Sequence, residues 1–399
     1  MTYPIRRAHL GDMPAIALQD GASFGFQFTG DELAEALTIL DPQRFFVATD
    51  GDRIVGVTGD YAMTMATPGG SLDVPGVTWV SVNPTHRRRG ILRQLMHHQL
   101  RAFADAGVAA AILTASEGGI YGRFGYGAAS QVRKLAIERQ RAVLRSSEDG
   151  GAVLLATPAE ARAAMPDIHE RWRRTIPGAL ARTAARWDVH LRDREAHRDG
   201  MSGLYFLLHR DGYVAYRAGS NWNDGRPGHN CRIIEYATAT PQAHAALWRV
   251  LLGLDLFGTI ESDQIPVDDP LPYLLTDQRQ VRSLAVNDGL WIRPIDVGAL
   301  VRARCYGLEF EVVWEISDEL FGAGRYLIRG GPDGGTCERT DATAQLASGV
   351  DVLGAVYLGG HRLQALATAG RVGYDDAALL ARVDRALLAE RAPFHGTGF

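Results

Sequence analysis

Thr78-Trp79-Val80-Ser81-Val82-Asn83-Pro84-Thr85-His86-Arg87-Arg88-Arg89-Gly90-Ile91-Leu92-Arg93-Gln94-Leu95-Met96 decides the fold. Thr78 to Val82 is β-branched and aromatic and reads as a strand, which Pro84 ends because proline has no N–H for a ladder. Beyond Gly90, the apolar residues Leu92, Leu95, Met96, Leu100 and Phe103 recur at three- and four-residue spacing, the pattern of one buried helix face. The turn between them is basic. First-turn amides of a helix have no intrahelical partner and carry the positive end of the helix dipole, so strand, loop and helix in this order make a cradle for a diphosphate. The arginines add charge, and Gly90 lets a ligand approach the backbone closely. The competing reading is an arginine cluster opening an ordinary surface helix.

A second motif argues against that alternative. Ala109 to Ala115 is a short apolar run with strand character, followed by Ser116-Glu117-Gly118-Gly119-Ile120-Tyr121-Gly122-Arg123-Phe124-Gly125-Tyr126. Arg87-Arg88-Arg89-Gly90-Ile91-Leu92 resembles the acetyl-CoA pyrophosphate loop of the GCN5-related N-acetyltransferases, Arg/Gln-x-x-Gly-x-Gly/Ala, with Leu92 where a small residue is usual. Thr85 to Arg93 resembles the Eis-type (enhanced intracellular survival) subgroup, and Tyr121 to Tyr126 fits the family's Tyr-x-x-x-Gly-aromatic spacing. The resemblance implies that CoA lies along Val80, Ser81 and Val82 and on Arg88, Arg89, Gly90, Ile91, Leu92 and Arg93, with Ser116 and Glu117 beside it. It also implies that Tyr121 protonates the departing sulfur. An ordinary phenol pKa near ~10 keeps it a proton donor at neutral pH. Tyr126 is expected to be a packing residue.

Composition narrows the class. At 399 residues and 46% hydrophobic, the chain is long enough for two or three cored domains. A net charge of −4 gives no support to a nucleic-acid partner despite the local arginines. No apolar run approaches the ~20 residues of a membrane span, and no signal-peptide segment follows Met1. The three cysteines, Cys231, Cys305 and Cys337, are odd in number and widely spaced, which argues for a reducing compartment; a cytoplasmic protein is expected. The histidines form no metal-ligand pattern, so no metal is expected.

Along the chain, residues 5 to 40 read as strand, turn, then a helix at Asp31 to Leu37, with the aromatic segment Ser23 to Phe28 between them. Arg44 to Thr49, Arg53 to Tyr61 and Thr78 to Val82 read as a meander, Val132 to Ile137 as a closing strand, and Ser146 to Gly151 as a linker. From Ala152 to Val297 the element order is a degraded copy of the first domain, whose junction Tyr236-Ala237-Thr238-Ala239-Thr240-Pro241 has neither arginine nor glycine. The last hundred residues resemble the sterol-carrier-like unit that ends Eis-type proteins. The fold class is therefore α+β: tandem acetyltransferase-like domains, 1–140 and 150–297, the second without a cofactor loop, then a sterol-carrier-like domain, 298–399.

The resemblance further implies an acceptor pocket walled by Phe26, Gln27 and Phe28, and a role for Phe399, whose free α-carboxylate would hold the cationic amine and relay its proton. Positions that can carry acids in the family hold Gln27 and Gly398 here, which weakens charge complementarity for multivalent cations. The expected activity is acetyl-CoA-dependent acetylation of primary amines (aminoglycoside, polyamine or lysine-type) by a homo-oligomer, a hexamer by resemblance. The alternative from another class is a noncatalytic protein that senses CoA or holds an apolar ligand.

Overall fold

A computed structural model describes residues 2–146 and 150–399 of the chain. Of the expected linker, Ser147, Glu148 and Asp149 lie outside the described residues. One compact unit comprises the chain up to Ser130 with Leu290–Ala389 and Thr397–Phe399, and another comprises Gln131–Gly289 with Glu390–Gly396.

The first unit holds a mixed sheet in the order Ile5–Arg7, Phe46–Asp50, Arg53–Thr67, Gly70–Val82, Ala110–Thr114, Leu290–Pro294, Gly127–Ala128. The hairpin Arg53–Thr67 with Gly70–Val82 is longer than the expected strands, turning at Pro68-Gly69. Helix Ile91–Asp105 buries Ile91, Leu95, Met96, Gln99, Leu100 and Phe103. Ile91 thus takes the core place that the spacing suggested for Leu92, which is half-buried. Helix Met13–Phe24, unforeseen in the sequence, packs on the same hairpin and ends at Gly25, φ 81°. The other sheet of this unit runs Gly334–Arg339, Gly324–Gly331, Phe310–Ser317, Leu346–Gly349, Val372–Tyr374 and carries helix Ala377–Leu387.

The second unit is built on a sheet ordered Val281–Asp288, Gln131–Glu138, Phe257–Pro266, His229–Thr238, Gly212–Gly219, Tyr205–His209, Leu154–Ala156. Val132 to Ile137, expected to close the first domain, instead pairs here with Phe257–Pro266 and Val281–Asp288. Its place in the first sheet is taken by Leu290–Pro294, antiparallel to Ala110–Thr114. The physical reason is packing: Leu135 and Ile137 join Leu247, Trp248, Leu251 and Ile260 in the second unit's core, while Leu290 and Ile292 are fully buried in the first sheet.

Candidate functional site

Strands Gly70–Val82 and Ala110–Thr114 run parallel, and among the described residues they register at Gly76 beside Ile112 alone. Beyond that point they part. A cleft of about 570 Å³ is lined by Val80, Ser81 and Val82 from one strand, Ser116 and Glu117 following the other, and Gly90, Ile91 and Leu92 from the helix start.

Register slips on the hairpin just before the cleft: Gly59 faces Thr78, but Val57 faces Ser81. Trp79 takes up the extra length at φ 53°, an unfavourable backbone for a bulky side chain. Its ring stacks on Phe28 at 5.0 Å and meets Phe45 edge-on at 5.9 Å. Phe26 in turn contacts Phe28 at 4.9 Å. The aromatic segment is thus gathered on the bulge. Phe26 and Gln27 are exposed, and none of the three lines the cleft.

Pro84–His86 forms a single 3₁₀ turn capped by the Asn83 side chain, and the chain enters helix Ile91–Asp105 through Arg88 at φ 62° and Gly90 at φ 79°. A Cβ on Gly90 would meet only Gln94 Nε2, at 3.8 Å, so the glycine is required by its left-handed backbone rather than by crowding. No side chain caps this helix, which leaves its first amides as donors. His86, Arg87, Arg88, Arg93 and Arg123 line the same cleft. Cations around uncapped helix amides are the donor set a diphosphate takes. Arg89 departs from the expected set: its guanidinium donates to the Tyr3 hydroxyl and the Thr85 carbonyl, each at 3.2 Å, and it does not line the cleft.

Tyr121 opens the 3₁₀ turn Tyr121–Phe124 and lines the cleft. Burial, reinforced by the Glu117 carboxylate, pushes its phenol up to about 12, so it enters any reaction protonated. Tyr126 packs against it edge-on at 5.9 Å but is fully buried, does not line the cleft, and has a hydroxyl with no partner among the described residues. Of the two tyrosines, the first alone is placed to give a proton to something in the cleft.

Phe399 lies in the same compact unit, with its ring over the backbone of Gly76: a Cβ there would sit 2.9 Å from its Cε2. The terminal residue therefore reaches the point where the two strands part. Tyr121 shares a core cluster with Val77, the next residue. Neighbouring strand residues face opposite sides of a sheet, so Tyr121 and Phe399 approach this point from its two faces. Sequence reading missed Ser23 and Phe24, which line the cleft from the end of the unforeseen helix, and Arg123, whose motif position carries no charge requirement. No group of three or more possible metal-ligating side chains occurs among the described residues, and no helix there is long and apolar enough to cross a membrane.

Family comparison agrees with this architecture. Residues 4–129 and 178–294 each match models of an acetyltransferase (GNAT) domain, and residues 297–396 match a sterol carrier protein domain. The chain is 39% identical over 393 residues to the N-acetyltransferase Eis of Mycobacterium tuberculosis, covering 95% of both chains. It is 37% identical to an uncharacterized N-acetyltransferase of Streptomyces coelicolor, covering 92% of both. Among solved structures it resembles Eis1 from Mycobacterium abscessus with a TM-score of 0.87 and 31% identity, over 99% of this chain and 100% of that one. The fold is thus tandem acetyltransferase domains followed by a sterol-carrier-like domain.

Proposed function

This chain belongs to the Eis-type N-acetyltransferase family, and from that premise we propose that it binds acetyl-CoA in the cleft at Arg88 and Arg93 and passes the acetyl group to a primary amine. One observation carries the reading: uncapped helix amides, four arginines and a buried, protonated tyrosine line the same cleft. The diphosphate would lie on the amides of Gly90 to Arg93, with the pantetheine arm along Val80, Ser81 and Val82 and past Ser116 and Glu117. That would bring the thioester sulfur to Tyr121.

The neutral amine attacks the thioester carbonyl. As the C–N bond forms and the C–S bond breaks, the Tyr121 proton passes to sulfur, and the proton lost by nitrogen returns to the phenolate. An α-carboxylate, with a reference pKa of ~3.5, is too weak a base to drive this step, and that of Phe399 serves to hold the cationic acceptor by charge and hydrogen bonding. Holding the amine against the thioester supplies several kcal/mol through proximity. The aromatic surface of Phe26 and Phe28 with Gln27 forms the acceptor's other wall. Aminoglycosides, polyamines and lysine side chains fit this chemistry. Gln27 and Gly398 in place of acids favour singly charged acceptors over multivalent ones. No metal takes part.

The active form is a cytoplasmic homo-oligomer, a hexamer. The exposed edge strand Val281–Asp288, with Leu284 and Val286 about half exposed, supports such packing. The test is a panel of amines incubated with acetyl-CoA and read by mass spectrometry. Acetylated product and free CoA are expected, and removal of Phe399 should nearly abolish both without changing the melting temperature. An inert panel, or a full-rate Phe399 deletion, overturns the corresponding part of the reading.

A further inference from the structure

We propose that Asp20 takes the proton shed by the incoming ammonium, reached through the hydroxyl of Ser81; this rests on the acetyl-transfer reading above. Neither residue acts by touching the thioester. Asp20 works through Ser81 and is in that sense a positioning residue for the proton.

The two faces of the hairpin separate the roles. Cross-strand partners share a face of a sheet. A Cβ on Gly56 would run into Ile91 and Leu95, so Gly56 and its partner Val82 face helix Ile91–Asp105. Val57 and its partner Ser81 then face the other way, where helix Met13–Phe24 lies: Gln19 Nε2 donates to the Ser81 carbonyl at 3.3 Å and to its Oγ at 3.4 Å. The Ser81 hydroxyl is the polar neighbour that acts on the Asp20 carboxylate, favouring its charged form. Gly76, paired with Tyr61, is also on this face, and Phe399 covers it. The terminal residue that would hold the ammonium and the carboxyl that would accept its proton therefore share one face. Tyr121 works from the other.

Asp20 is built as an acceptor without a counterion. It is 5% exposed, and its Oδ1, like Gln19 Oε1 beside it, has no partner among the described residues. Helix Met13–Phe24 carries no other charged side chain. Strand Gly70–Val82 offers only Asp73, whose carboxylate accepts from Thr64. Strand Arg53–Thr67 offers Arg53 and Asp60, the latter held by Arg44, and Asp12 of the short turn before the helix is held by Arg6. Burial without a neighbouring cation pushes the Asp20 carboxyl up to about 6, toward neutral pH, where a general base is most effective. A buried carboxylate with an unmet oxygen is a cost to the fold, and such costs gather where chemistry uses them. Ser81, 5% exposed yet lining the cleft, links the carboxyl to it.

The step balances. One N–H bond of the ammonium breaks as its proton passes to Ser81 Oγ, and the former Ser81 proton passes to Asp20, leaving a neutral amine and a neutral carboxylic acid. Acetyl transfer follows as described, after which Asp20 loses its proton to solvent. Net, an ammonium and acetyl-CoA give the amide, CoA and one proton.

The test compares the full-length parent with D20N, S81A and S81T. The kcat profile of the parent should fall on the acid side near the Asp20 midpoint. In D20N that limb should vanish, with kcat at pH 7 lower by about 10²-fold while CoA affinity and folding persist. S81A should follow D20N in rate and pH profile and S81T should recover both, because the hydroxyl is restored. Independently of turnover, a difference titration should show the parent taking up most of one proton, about 0.8, more than D20N between pH 7 and 5. Parent-like rates and profile in D20N, or equal proton uptake, overturn the proposal. Loss of activity in Tyr121→Phe alongside an unaffected D20N would remove Asp20 and keep the acetyl-transfer reading, whereas rates indifferent to Tyr121→Phe would count against that reading itself.

Discussion

The chain contains the same strand-to-helix junction twice, and the two copies end differently. In the first, strand Gly70–Val82 leads through Arg87 to Gly90 into helix Ile91–Asp105, whose N-terminus has no side-chain cap. In the second, strand His229–Thr238 leads into helix Pro241–Leu252, where the Thr240 side chain accepts from the Ala243 amide at 3.2 Å and Pro241 at the first position has no N–H to offer. One junction leaves its donors open and surrounds them with cations; the other satisfies them from within. Charge is likewise spent differently. The first junction's Arg88 and Arg93 are exposed along a cleft, whereas the second domain's Arg182 is buried against Glu235 at 2.8 Å and donates to the Gly396 carbonyl at 2.6 Å. Burial alone would push the Glu235 carboxyl up, but Arg182 and His190 outweigh it and hold Glu235 well below the usual range. A shared architecture thus separates into an open, cation-lined copy and a self-contained one at a handful of side chains.

Substitutions should split along the same line. Tyr121→Phe has the largest expected effect, a loss of roughly 10²–10⁴-fold in kcat with CoA affinity kept, measured by steady-state kinetics and calorimetry. Equal loss in Tyr126→Phe, with none in Tyr121→Phe, would mean that the buried tyrosine is the donor after all. Arg182→Ala strands Glu235 as a buried, less-paired charge and should lower stability by about 3–5 kcal/mol in denaturant titration, leaving CoA affinity intact. Arg88→Ala with Arg93→Ala should do the reverse, weakening CoA binding by roughly 10–10²-fold, steeply salt-dependent, with an unchanged melting temperature. Thr240→Ala is the smallest, about 1 kcal/mol of stability from the lost cap. Should Thr240→Ala reduce CoA affinity instead, the second junction is not closed.

Much of this was legible in the sequence because it is local. The strand, basic turn and helix at Thr78 to Met96, the tyrosine motif and the second junction's lack of arginine and glycine each follow from neighbours within a few residues. What escaped was non-local. The apolar residues of Val132 to Ile137 mark a strand, but not which sheet receives it, and only pairing with Phe257–Pro266 reveals that the chain leaves the first sheet there. Helix Met13–Phe24 hid behind Pro14, Gly21 and a short apolar run, and with it hid Asp20, since an isolated acid gives no sign of burial until Ser81 is brought against it. Arg89 looks no different from Arg88, yet the turn directs it to Tyr3.

The central claim is that one junction binds CoA and its copy does not, and calorimetric titration of CoA into the parent and the Arg88→Ala/Arg93→Ala variant tests it most directly. One CoA per chain is predicted for the parent, weakened by the two substitutions in the first junction and untouched by Thr240→Ala in the second. Two molecules per chain, or full affinity in the doubly substituted protein, would contradict it.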